Sequence, residues 1–358
     1  MAPVAHALAA RGGRPTLVLT GQHPQLRPDE FGLAAFPAVH LDCAGEADPH
    51  RHVGKVTAAM RSVLEDPPDL LMVQGDTSSA LGAALAGFMA AVPVAHVEAG
   101  LRTHDPLLPW PEEQYRTAID AHADLLFAPT ATAAENLRNE QVTGEVHVTG
   151  NTGVDALLEI ETRLPPRSLH NRGSPRLLVT CHRRESWGAG LQSVSAAILE
   201  LAAGARAHIN VVLHPNPYVE ATMREQLDGR PGISLLPPVS HPELVRMIRD
   251  SDLVLSDSGG IQEEAPSLGT PLLVLRDKTE RPEAIAYGNA RLVGTSAETI
   301  VAETRRLLDN PVELASMARR CFPFGDGRSG PRIAAITEDW LAQRVNVDQP
   351  LIRGTGHS

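Results

Sequence analysis

Cysteine, positive charge and long apolar runs are what this 358-residue chain is short of. Its three cysteines, Cys43, Cys181 and Cys321, are odd in number and far apart. That argues against a disulfide framework and for a reducing, cytoplasmic setting. Lysine and arginine total 32 against 43 aspartates and glutamates. A net charge of −11 speaks against a nucleic-acid backbone as the main partner, so an anionic ligand needs a local basic pocket. No apolar stretch approaches the roughly 18 residues of a membrane span, and no signal peptide is legible. Short-period repeats are lacking too. His96-x-Glu98 has the look of half a zinc-deaminase signature, but no Pro-Cys-x-x-Cys follows it. What remains is 42% hydrophobic, enough to fill two cores.

Strand and helix signals alternate along the whole chain. Met1 to Ala10 reads as a helix with no strand ahead of it. Thr16–Thr20, Leu70–Val73, Val92–Val97, Leu125–Phe127 and Val146–Val148 read as strands, and His52–Leu64 as a helix. Leu81, Ala84, Leu85 and Phe88 give another helix its apolar face. From Arg163 to Pro175 the composition turns to Pro, Arg, Asn and Gly, as a linker does. A second alternating series follows, with strands near Leu177–Val179, Asn210–Leu213, Ile233–Leu235, Leu253–Leu255, Leu272–Val274 and Arg291–Val293. Its helices fall near Leu191–Ala203, Pro242–Arg249 and Ala297–Leu308, with a last one near Pro331–Ala342. This is an α/β protein with two Rossmann-like, doubly wound parallel sheets and a cleft between them. The expected domains are 1–162 and 163–329, then a helix over 330–343 packing back on the first domain and a tail over 344–358.

Polar clusters sit at the loop ends that face such a cleft. After Leu253-Val254-Leu255 comes Ser256-Asp257-Ser258-Gly259-Gly260, then a helix carrying Glu263 and Glu264. Glycine lets a backbone approach closely, and a helix N-terminus directs N–H groups at phosphate oxygens. The same residues also suit a plain turn capped by Ser258. Gln74-Gly75-Asp76-Thr77, His96 to Thr103, Trp110-Pro111-Glu112-Glu113, Cys181 to Ser186 and Arg276 to Glu283 complete the set. Taken singly, Asp76 could be a helix cap, Glu112 and Glu113 first-turn charges, and Arg183-Arg184-Glu185 a solvated face.

Together these motifs resemble the non-hydrolysing UDP-N-acetylglucosamine 2-epimerases. Gly21-Gln22-His23, Gly75-Asp76-Thr77, His96-Val97-Glu98-Ala99-Gly100-Leu101-Arg102-Thr103, Pro109 to Glu113, Thr149-Gly150-Asn151-Thr152, His182 to Ser186, Asp257 to Gly269, Thr279 to Glu283 and Gly325-Asp326-Gly327 carry the likeness in order. The resemblance implies a GT-B-like fold and interconversion of UDP-GlcNAc and UDP-ManNAc without metal, nicotinamide or other cofactor. It implies a homodimer as well. UDP would be eliminated across C1–C2 and added back to 2-acetamidoglucal, which needs a base, an acid on the other face and donors for the diphosphate. The acidic catalytic positions fall on Asp76, Glu98 and Glu112, and the catalytic histidine on His182. Ser258, Gly259 and Gly260 fall on diphosphate donors, Glu264 on the ribose contact and Arg281 on the binding arginine. An activating second UDP-GlcNAc would involve Gln22, His23, Gln25, Arg183 and His214. Two other readings stay open: a GT-B glycosyltransferase, and an impaired UDP-sugar-binding homologue.

The likeness has departures. The family places a strand and a Gly-Thr-Arg-Pro-like loop ahead of the helix that begins here at Met1. The chain as given is therefore expected to turn over weakly and an upstream-extended one well. Tyr115 stands where the family often has Asn, and Cys181 where Gly usually precedes the histidine. Pro237-Pro238-Val239-Ser240-His241 replaces the usual uridine-side loop. Cys181 reads as a small apolar filler.

Overall fold

A computed structural model of the chain describes residues 1–23, 27–167, 174–181, 183, 187–203 and 207–348. The first half runs α1 (Ala2–Ala10), β1 (Leu17–Leu19), β2 (Ala38–His40), α2 (Pro49–Val63), β3 (Leu71–Gln74), α3 (Ser78–Met89), β4 (Val94–Val97) and α4 (Glu112–Asp120). It continues through β5 (Leu125–Ala128), α5 (Ala131–Asn139), β6 (Glu145–Val148) and α6 (Thr152–Arg163). The second half is β7 (Arg176–Thr180), α7 (Ala189–Ala202), β8 (His208–Val212), α8 (Pro217–Leu227), β9 (Ile233–Leu236), α9 (His241–Asp250) and β10 (Leu253–Ser256). Then come α10 (Gly259–Leu268), β11 (Leu272–Val274), α11 (Glu283–Ala286), β12 (Ala290–Leu292), α12 (Ala297–Asp309), α13 (Pro311–Met317) and α14 (Ser329–Asp348).

All strand pairs are parallel, as alternating strands and helices require. The second sheet has the order β12-β11-β10-β7-β8-β9. The chain enters at β7, walks outward through β8 and β9, then returns to the other side of β7 as β10. The direction of winding reverses between β7 and β10, where doubly wound sheets open a crevice beyond the strand ends. In the first half, β3-β4-β5-β6 form one sheet and β1-β2 a separate pair. Among the described residues, β1 and β3 each pair on one side only.

Side chains alternate between faces along each strand, and the cores follow that alternation. Leu177, Val179, Leu253 and Leu255 join α7, α8 and α12 on one face of the second sheet. Leu178, Val254 and Val274 join α9 and α10 on the other. Val154 and Leu157 of α6 lie in that second cluster, beside Ile248 and Ile261. Helix α6 packs between the domains, against α9 and α10 of the second and against α1 and α14 at the first. Leu71, Val73 and Leu126 face α2, α3 and α5. Ala95, Val97, Leu125 and Phe127 face Val4 of α1 and Ile333 and Trp340 of α14. The final helix thus covers the back of the first sheet, and it continues to Asp348, beyond the expected end at 343. Asp155 of α6 accepts from the amides of Ser329 (3.0 Å) and Gly330 (2.7 Å), capping that helix from the second domain's side. The two segments joining the domains lie side by side, with the Asn151 amide donating to the Phe324 carbonyl at 2.6 Å.

Candidate active site

The second domain contributes the ends of β7 and β10, the two strands at the winding reversal. The hydroxyls of Thr180 and Ser256 meet at 2.6 Å, tying these ends together. Beyond them the buried Asp257 carboxylate accepts from the Arg183 amide at 2.8 Å and from the Cys181 thiol at 3.4 Å. Cys181 is therefore buried with its thiol on a carboxylate, a polar contact that a purely apolar filler would not make. Ser258 makes no side-chain capping bond to α10, so a serine-capped turn does not describe this segment. The first-turn N–H groups therefore have no acceptor from the Ser258 side chain. A Cβ on Gly259 would lie 2.7 Å from Arg281 Nη1 and 3.3 Å from Arg183 Nη2. Two guanidinium groups therefore overhang the start of α10, and only glycine leaves room beneath them. Gly260, next in the turn, is exposed. One turn on, Glu264 accepts from His241 Nε2 at 2.7 Å, and that bond raises the proton affinity of His241.

Arg281 is the centre of the cluster. Its Nε donates to Glu263 at 2.6 Å, Nη1 to Glu280, and Nη2 to Glu98 of the first domain at 2.7 Å. Glu280 also accepts from Arg276 at 2.9 Å and lies 4.0 Å from Arg183. Burial alone would raise the Glu280 carboxyl; the guanidinium groups of Arg281, Arg276, Arg116 and Arg183 hold it far below the usual carboxylate range. Glu263 goes the other way. Burial pushes it up to about 8, with Arg281 pulling against that and Glu98 adding to it.

The first domain answers with three acids. Glu98 follows β4 with a left-handed backbone, φ 71°, which is costly for a residue with a Cβ. Asp120 holds that turn from both sides. It accepts from His96 Nδ1 at 2.6 Å, two residues before Glu98, and from the Gly100 amide at 3.1 Å, two residues after it. Its second oxygen also meets Arg102 at 2.8 Å. The other ring nitrogen of His96 faces the Gly75 carbonyl at 2.9 Å. With an acceptor at each nitrogen, His96 donates from both and is an imidazolium. Burial opposes that charge but Asp120 outweighs it, so the proton affinity of His96 is raised. Asp76, at the end of β3, accepts from Arg116 Nε at 3.0 Å and from Nη2, while Arg116 Nη1 reaches Glu113 at 2.9 Å. Glu112, at the start of α4, has one oxygen 3.9 Å from Arg183; the other is buried and unpaired among the described residues. Outside the cleft Lys278 pairs with Asp105 across the domains at 2.6 Å.

The structure therefore gathers Glu98, Glu112, Arg183, Gly259 and Arg281 at one place, with Asp76 tied to it through Arg116. His182 and Gln25 lie outside the described residues. Gln22 accepts from Ser79 at 2.6 Å, His23 is exposed, and His214 accepts from the Asn216 amide at 3.1 Å. Arg116, Asp120, Glu263 and Glu280 form the frame that sequence reasoning passed over.

Two parallel-sheet domains, with Gly259 and Arg281 at the winding reversal of the second facing Glu98 of the first, make this a protein of the GT-B-like class. Structures confirm the fold: an Acinetobacter baumannii MurG at 14% identity superposes with a TM-score of 0.55. The UDP-N-acetylglucosamine 2-epimerase family profile matches residues 6–338, and the chain belongs to that family. It is 39% identical to the UDP-N-acetylglucosamine 2-epimerase of Salmonella typhimurium, over 93% of each chain. A probable enzyme of the same name from Ralstonia nicotianae is 40% identical over 96% of each. The Neisseria meningitidis UDP-GlcNAc 2-epimerase, solved bound to UDP-GlcNAc, superposes with a TM-score of 0.89 at 34% identity, covering 95% of this chain and 96% of that one.

Proposed function

We propose that this chain interconverts UDP-N-acetylglucosamine and UDP-N-acetylmannosamine by eliminating UDP across C1–C2, forming 2-acetamidoglucal, and adding UDP back. The observation that carries the reading is the 2.7 Å contact between Arg281 and Glu98. In support of the reading, a cation suited to a leaving diphosphate stands beside an acid suited to the sugar. In this reading the first turn of α10 and Arg281 hold the diphosphate, and Glu264 holds the ribose. Asp76, Glu98, Glu112 and His182 supply the base that removes the C2 proton and the acid that returns one from the opposite face. Gln22, His23, Gln25, Arg183 and His214 serve a second, activating UDP-GlcNAc. The enzyme acts in the cytoplasm as a homodimer.

The test is incubation with UDP-GlcNAc in deuterated water, following C2 by proton NMR. Deuterium at C2 together with UDP-ManNAc is the expected result. UDP-sugar binding without exchange, or transfer of the sugar to an acceptor without exchange, would overturn it.

A further inference from the structure

The segment Pro237-Pro238-Val239-Ser240-His241 leaves the C-terminal end of β9 and delivers His241 as the first residue of α9. Helix α10 in turn leaves the C-terminal end of β10. Both helix starts therefore lie along the edge of the sheet where such folds bind ligands. On α10 the outward stripe is narrow. Gly260 and Glu264 are its two residues that are not buried, and a spacing of four puts them on one face. His241 Nε2 donates to Glu264 Oε1 at 2.7 Å, joining the start of α9 to the second turn of α10. That bond raises the proton affinity of His241 against the pull of burial, although a positive ring at a helix N-terminus opposes the helix dipole. Nothing in α9 favours that charge; Glu264 does. With side chains 33% and 13% exposed, the pair is more shielded than a surface ion pair yet open to a ligand. A carboxylate offers about four acceptor directions, and His241 takes one of them. The others suit hydroxyl donors. A flexible glutamate would have to be ordered by its ligand, whereas this one is ordered beforehand.

We propose that His241 is the positioning residue of the ribose contact: it fixes the Glu264 carboxylate to accept from the ribose hydroxyls, and so sets the preference for ribose over deoxyribose. The inference rests on the reading of Glu264 as the ribose contact. Tasks then divide along α10. Its first turn, with Arg281, serves the diphosphate, and Glu264 one turn on serves the ribose under the hold of His241. Removing the His241 donor weakens recognition of the hydroxyls and leaves recognition of the diphosphate as it was.

Titration calorimetry with UDP, 2′,3′-dideoxy-UDP and pyrophosphate tests this. Wild type is expected to bind UDP about tenfold more tightly than the dideoxy analogue, as a site built to accept from hydroxyls should. In His241→Ala that ratio is expected to fall to about threefold or less, with pyrophosphate affinity unchanged. His241→Gln, whose side-chain amide can donate to Glu264, is expected to keep most of the ratio. A wild-type ratio in His241→Ala overturns the proposal. So does a fall in pyrophosphate affinity that matches the fall in UDP affinity, since that marks damage to the fold around α10 rather than a loss of orientation. If wild type binds no UDP, the proposed function and the positioning role fail together. If wild type binds UDP no better than the dideoxy analogue, the ribose contact fails and takes the role of His241 with it, while C2 exchange still decides epimerisation. If the ratios come out as expected but C2 never exchanges, only the proposed function fails.

Discussion

Asp120 is a fully buried carboxylate with three donors on it: His96 Nδ1 at 2.6 Å, Arg102 Nη1 at 2.8 Å and the Gly100 amide at 3.1 Å. Asp120→Ala leaves two buried cations and an amide without this acceptor. Arg102 keeps Glu140 at 2.7 Å, but His96 keeps only the Gly75 carbonyl. Breaking one partner out of a buried ionic cluster costs about 3–5 kcal/mol, a large part of a typical domain's stability. Asp120→Asn should cost about half as much. His96 can then release its proton and accept from the new amide, while the amide oxygen takes Arg102 or Gly100. The wild-type contribution has a defined pH window. Asp120 has a lowered proton affinity in the folded state: burial opposes this, but His96 and Arg102 outweigh it. Its contribution is present above the ordinary aspartate value of about 3.9 and is lost as pH falls through the lowered one. His96 is raised, so its contribution is full below about 6.5 and is lost as pH rises through the raised value. The difference in stability between wild type and Asp120→Ala should therefore peak between about pH 4 and 6.5. Urea denaturation across pH measures it. Since Asp120 also fixes the left-handed turn at Glu98, the folded fraction of Asp120→Asn should lose on the order of tenfold in kcat. A cost below about 1 kcal/mol for both variants, flat with pH, would refute an ionised His96–Asp120 pair.

Three further outcomes follow from the same geometry. Gly259→Ala puts a methyl 2.7 Å from Arg281 Nη1, in the anion cradle, so UDP affinity by calorimetry should fall about tenfold or more with the melting temperature little changed. Glu280→Ala strips the shared counter-charge from Arg276 and Arg281, and urea unfolding should register a loss of about 3–5 kcal/mol. Lys278→Ala removes only an exposed pair with Asp105, so its cost should stay below about 1 kcal/mol and shrink further in high salt.

Much of this was legible in the residues because the informative signals were local. Leu253-Val254-Leu255 followed by Ser-Gly-Gly announced a buried strand feeding a helix, and β10 and α10 are that pair. The central strands were plain because both faces are buried and nearly every residue is apolar. Strand β2 was missed: it is three residues long and exposed throughout, so no burial pattern marks it. Helix α8 was missed although Val219, Met223 and Leu227 recur at a spacing of four, because the stripe is only one residue wide. Asp76, Glu98 and Arg281 stood out in their motifs, but their pairings did not: Asp76 meets Arg116 forty residues on, and Arg281 meets Glu98 at a separation of 183. A local clue to Glu280 did exist, since Arg276 and Glu280 stand at i and i+4 in a loop rich in charge.

The charge balance of the cleft gives the last step. Among the described residues, Arg116, Arg183, Arg276 and Arg281 face Asp76, Glu98, Glu112, Glu113, Glu263 and Glu280, so these carboxylates outnumber these cations. A diphosphate adds more negative charge to the same space. Burial raises the proton affinity of Glu263 and the charge on Glu98 adds to this, while Arg281 pulls against it. A reaction that must hold its leaving group through bond cleavage and then give it back benefits from such balance. Too strong an anion site would trap UDP beside the glycal, and too weak a one would release it before re-addition.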